Sequence, residues 1–239
     1  MRYIAVLLVL LLAASVSGPA HAQIYGELSY ATVSKTMLRF NAYNLARAEV
    51  LEDYLKINEC EAYKKVYYDD FAMKTLRDTV QKTAMSNATS FPDAYYFKAP
   101  MKLDRYDFTA RMFRLSEKSK LYNINSFALV NMHDSDVCVI GEKLQALPKS
   151  IGAVLDQPVT LEGLPISEER AQKLITDMNA SGNRERQIYA RFNLMVTFAP
   201  PITDLPAGSV RYNMDAQLLT IEFFEDPEFT KPIWIFNRS

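Results

Sequence analysis

Histidine, cysteine and tryptophan are almost missing from this chain, at two, two and one among 239 residues, and glycine numbers only seven. Each scarcity excludes a class of chemistry. His21 falls in an N-terminal leader, so His133 is the sole imidazole of the mature chain and a zinc site built on two or three histidines of one chain is ruled out. Cys60 and Cys138 are too far apart to form a CxxC pair. The glycine-rich loops that cradle phosphate and the nucleophile elbow of the hydrolases are absent. Long lysine and arginine runs are absent too, and 27 basic against 28 acidic residues leave no electrostatic footprint for nucleic acid. The composition implies no cofactor.

Glycine and proline are also missing from Glu27 to Phe91, 65 consecutive residues. They are the strongest local punctuators, so helices in this stretch have little reason to stop. From Pro92 onward ten of the eleven prolines and five of the seven glycines appear, and apolar residues shift from helical spacing towards alternation.

What is there begins with a leader: Met-Arg-Tyr, an apolar run from Ile4 to Ala14, then a small-residue segment ending Ala20-His21-Ala22. The run is too short to span a bilayer as a helix, and no second one follows. This reads as a signal peptide over residues 1–22, cleaved between Ala22 and Gln23, with a retained anchor as the alternative. The exported chain, 23–239, is expected to be one domain located in the periplasm or secreted. An oxidising compartment allows Cys60 and Cys138 to pair, two buried free thiols being the alternative.

Ser34 reads as an N-cap followed by helical stripes through Leu38, Ala42 and Leu45, then Val50, Leu51, Tyr54, Leu55 and Ile57. Asp69 and Asp70 read as caps of a helix burying Met73, Leu76, Val80 and Ala84. Beyond Pro92, one bulged strand over 105–115 and hairpins pairing 127–132 with 137–140, 151–155 with 159–164, and 210–214 with 217–224 are expected. Ser167 caps a helix ending at Gly182, and 187–198 alternates cleanly, as a strand with one wet face does. The fold class is α+β: a helical layer, about 34–88, packed on a mostly antiparallel sheet, about 93–239.

Two clusters collect reactive types. His133-Asp134-Ser135-Asp136 holds the residues of a hydrolytic triad, but neighbours in a tip diverge where a triad must converge, so it reads as a solvated turn with weak calcium binding in second place. Glu59, Glu61, Asp69 and Asp70, interleaved with Tyr63, Tyr67 and Tyr68, read as an acidic and aromatic interaction cluster. Glu59, Asp69 and Asp70 would serve a carboxylate-dependent hydrolase only if two of them shared a cleft.

The segments Ile57-Asn-Glu-Cys-Glu-Ala-Tyr63, Tyr68-Asp-Asp-Phe71 and Leu103-Asp-Arg-Tyr-Asp-Phe108 resemble a family of exported bacterial proteins known only as a domain of unknown function. The resemblance implies a Gram-negative periplasm and supplies no catalytic residue. The expected function is that of a non-catalytic binding or interaction module of the cell envelope, its partner an envelope protein or ligand; the alternative is a hydrolase of envelope glycans or peptides.

Overall fold

A computed structural model describes residues 25–133, 137–139, 142–202 and 211–238. The leader with its Ala22/Gln23 junction, and residues 134–136 of the polar tip, lie outside them. Four helices come first: α1 (Tyr30–Arg39), α2 (Ala48–Asn58), α3 (Cys60–Val66) and α4 (Asp70–Asn87). Ser29, not Ser34, caps α1: its hydroxyl accepts from the Thr32 N–H while the Thr32 hydroxyl accepts from the Ser29 N–H. That reciprocal pair satisfies two orphan donors at once, which a lone serine one turn later does not. Ser34 is instead fully buried and takes a hydrogen bond from the Asn58 amide at 3.0 Å.

The strands are β1 (Gly26–Glu27), β2 (Ala94–Asp107), β3 (Met112–Leu115), β4 (Leu121–Asn131), β5 (Ser150–Leu161), β6 (Gly163–Pro165), β7 (Gln187–Phe198), β8 (Arg211–Phe224) and β9 (Pro232–Asn237), with α5 (Glu168–Ala180) before β7. They form one sheet in the order β4-β5-β8-β7-β2-β3-β6, with β1 on β2 and β9 on β8. The sheet is mixed. Six of its pairings among the described residues are antiparallel, but β1–β2 and the inner pair β5–β8 are parallel. The chain leaves β5 through β6, α5 and β7 before β8 returns alongside it, a long crossover of the kind parallel strands need.

The expected hairpins give way to longer units. Residues 105–115 are not one bulged strand: β2 turns into β3, with Asp107 accepting from the Thr109 and Ala110 N–H groups and Arg111 at φ 52°. The phase change at Phe113 marks that turn. β5 and β8 each run unbroken through the positions read as turns, β5 carrying extra residues where Pro158 denies it a ladder bond. Among the described residues β4 pairs with β5, not with 137–139, so Cys138 sits in an irregular segment and not in a strand; residue 140 of the expected hairpin lies outside the described set.

The sheet curls. Phe97 of β2 stacks on Phe192 of β7 at 4.7 Å, and Phe127 of β4 lies 5.2 and 5.6 Å from them. β4 and β7 are three strand steps apart, about 14 Å in a flat sheet, so only curvature brings these rings together. Fully buried Ala153, Ala190 and Ala216 leave room on the inner face.

Two glycines test this packing. A Cβ on Gly163 would lie 2.2 Å from the Phe113 carbonyl oxygen, whereas one on Gly152 would meet the movable guanidinium of Arg211 at 2.5 Å. Gly163→Ala is expected to cost about 2–3 kcal/mol in urea denaturation and Gly152→Ala clearly less, since only the first forces backbone apart.

Candidate functional site

α2 turns one buried edge towards the segment between β4 and β5. That segment, 142–149, has no helix or strand yet buries Leu147 and Pro148, so its N–H groups need partners from elsewhere. Asp53, fully buried, supplies them: its carboxylate accepts from the N–H groups of Gln145, Ala146 and Leu147 at 2.7–3.0 Å. Burial pushes this carboxyl above the ordinary carboxylate range, opposed by those three donors and by Lys56. One turn on, the Lys56 ammonium, 3% exposed, reaches the Glu142 carboxylate at 2.8 Å. Lys56 and then the Tyr67 hydroxyl, which donates at 2.7 Å, hold Glu142 below its usual range. The third attachment is covalent: Cys60, first residue of α3, pairs with Cys138 across a Cα separation of 5.4 Å. These are geometrically a clasp, fastening α2 and α3 to residues 137–139 and 142–149.

The clasp positions the corner between α3 and α4. Tyr63 is buried against Tyr67 at 5.7 Å and donates to Glu52 at 2.5 Å; burial first and Glu52 second drive its phenol pKa far up. Arg77 of α4 grips the other oxygen of Glu52 with two donors at 2.8 and 3.0 Å. Tyr67 closes α3, and Asp69 opens α4 by accepting from the Phe71 and Ala72 N–H groups at 3.0 and 2.9 Å. Only Tyr68 lies between the Tyr67 cap and the Asp69 cap, so its side chain is thrown outward at the corner. It is 96% exposed, with its ring 5.0 Å from that of Tyr67. Phe71 lies off the Met73, Val80 and Ala84 face of α4 and is 87% exposed. Lys64 and Lys74 nearby are engaged by Glu61 and Asp78, leaving Asp69 and Asp70 between the two rings in sequence.

The structure thus brings Tyr63, Tyr67 and Asp69 of the sequence-read cluster to one corner, with Asp70 exposed in the first turn of α4 and Glu59 before α3. Asp69 is spent on its cap. Among the described residues, Glu59, Asp69 and Asp70 line none of four cavities of about 330–550 Å³. His133 is exposed just past β4, and the three residues that complete its motif lie outside the described set. Among the described residues no group of three metal-ligating side chains converges. A cavity of about 550 Å³ beside Tyr43, Asn44, Met85 and Ile202 is lined by no carboxylate, histidine or cysteine among the described residues. A second, about 360 Å³, holds Asp177, Glu225 and Asp226. Asp177 is paired with Lys173 at 2.7 Å. Burial works to raise Asp226, but the Thr230 and Lys231 N–H groups prevail and hold it below its ordinary value, the reverse of what a general acid requires.

Asp53, Lys56, Glu52 and Glu142 escaped the sequence reading. The signal was present for two of them: Asp53 and Lys56 interrupt the edge of the Val50–Ile57 apolar stripe, where a solvated charge has no reason to be.

Among the described residues no helix is long and apolar enough to cross a membrane. No curated protein and no solved structure matches the chain. A family model does match, over residues 47–177, a span that contains the disulfide, the Asp53 and Glu142 attachments and the exposed corner. With more than half of its length so matched, the chain belongs to the family described as Domain of unknown function (DUF4852).

Proposed function

We propose that the protein is an exported, non-catalytic interaction module of the cell envelope that docks through Tyr68 and Phe71 onto a partner protein offering an apolar cleft with a basic rim. The carrying observation is the near-complete exposure of two aromatic side chains on a corner whose backbone is held by caps, an ion pair and a covalent bridge. Large rings left in water gain most when a partner covers them, and a corner fixed in advance loses little entropy on binding. Asp69 and Asp70 give the partner's rim its sign. The leader and the cysteine pair support export, since a bridge of this kind persists outside the reducing cytosol.

The test is crosslinking in the native envelope, wild type against Tyr68→Ala/Phe71→Ala. The double variant keeps its unfolding free energy within about 0.5 kcal/mol, because neither ring is buried in the free protein. It is expected to lose a specific crosslinked protein and to bind that protein, once purified, at least 30-fold more weakly, the effect of about 2 kcal/mol. Equal capture by both forms overturns the assignment of the corner.

A further inference from the structure

Most edges of the sheet are closed by the chain itself. β9 begins with Pro232, and the outward carbonyl of its Ile233 takes a 2.8 Å hydrogen bond from Arg170 of α5. β1 and β6, two and three residues long, are too short to template another strand. β4 is different. Among the described residues it stands at the end of the sheet and pairs with β5 alone. Its sequence, Leu-Tyr-Asn-Ile-Asn-Ser-Phe-Ala-Leu-Val-Asn, holds no charge, no proline and no glycine across eleven residues. The devices that keep edges apart are therefore reduced to two irregularities, at Asn123 (φ 53°) and between Ala128 and Val130. From Ile124 to Ala128 β4 itself runs straight, the extra residues opposite it belonging to β5. Asn125 and Ala128 are exposed there, and Tyr122 is 68% exposed just before.

We propose that this edge pairs with the same edge of a second copy of the chain, antiparallel about a two-fold axis near Ser126, so that the sheet continues through the dimer. An open row of N–H and C=O groups selects an extended backbone as its occupant. The side chains select a copy. Two-fold pairing sets identical strands against each other, which a charged strand resists through like-charge contacts and this strand does not. Ser126, on the axis, faces its own copy, and its hydroxyl both donates and accepts, so it complements itself. About Ser126, Ile124 faces Ala128 of the copy, apolar against apolar. A net charge of −1 adds little long-range repulsion. Five straight residues per copy form a contact well below standard interface size, so association is weak, on the order of 0.1 mM.

Sedimentation velocity of the mature, disulfide-bonded chain from about 10 µM to 1 mM is expected to show a dimer growing with concentration, accompanied by slowed amide exchange within β4. Asn125→Lys/Ala128→Lys sets like charges across the axis and is expected to weaken association at least tenfold, while its melting midpoint in dilute solution stays unchanged. Tyr68→Ala/Phe71→Ala is expected to dimerise as wild type, which separates this edge from the docking corner. A single monomer at 1 mM, a dimer indifferent to the two lysines, or exchange in β4 that ignores concentration each overturns the proposal; the last is read on the wild type alone.

Discussion

Asp53→Ala is expected to lower the unfolding free energy by about 3–5 kcal/mol, measured by urea denaturation, although Asp53 is one residue in a helix of eleven. The substitution leaves the N–H groups of Gln145, Ala146 and Leu147 without their acceptor beside a fully buried position, the Leu147 donor itself being buried. Each stranded donor costs about 1–3 kcal/mol, partly recovered as the segment loosens. Asp53→Asn keeps one acceptor oxygen and is expected to cost about half as much. The pH dependence carries its own sign. Burial raises the Asp53 carboxyl in the folded chain above its unfolded value of about 3.9, so the native state holds this proton to higher pH than the unfolded state does. Stability from Asp53 is then complete below that unfolded value and is lost as pH rises through the folded one. Glu142, lowered by Lys56, acts oppositely: its contribution is present above about 4.3 and is lost as pH falls through its folded value. The advantage of wild type over Asp53→Asn is therefore expected to be larger at pH 4 than at pH 7. A difference that grows towards pH 7 would mean that the three donors, and not burial, dominate this carboxyl.

Local devices were legible and long-range ones were not. The Ser167 cap, the stop at Gly182 (φ 77°) and the alternation of Ile188, Ala190, Phe192, Leu194 and Val196 stand where periodicity puts them, because each depends on neighbours a few residues away. Asp69 caps α4 for the same reason. The partner of β4 had no such signal, since Ser150 lies 19 residues beyond Asn131, to which it donates. Composition also hid how differently the tyrosines behave. Tyr43, Tyr54 and Tyr63 are core, Tyr67 is half-buried, and Tyr68, its immediate neighbour, is in water. A change from covered to bare within one residue follows from the corner between two caps, which no count of aromatics shows.

The Cys60–Cys138 bridge sets the other large effect. Cys60→Ala/Cys138→Ala is expected to lose roughly 4 kcal/mol, because the bond closes a loop of 78 residues in the unfolded chain. For a chain of this size that corresponds to a melting midpoint lower by roughly 8–16 °C. The variant should nevertheless fold, since the bridged segment keeps its Asp53 and Glu142 attachments. Those attachments also make the losses non-additive. Without the bridge, residues 142–149 detach more readily, so Asp53→Ala has less left to release. A double-mutant cycle between Asp53 and the cysteine pair is expected to show coupling of about 0.5–3 kcal/mol, whereas two independent anchors would add. Thiol titration in denaturant fixes the premise: none reacts before reduction and two react after it. Two reactive thiols at the outset would leave Lys56, Glu142 and Asp53 to hold the segment unaided, and the docking corner would then rest on an ion pair and a hydrogen-bonded carboxylate alone.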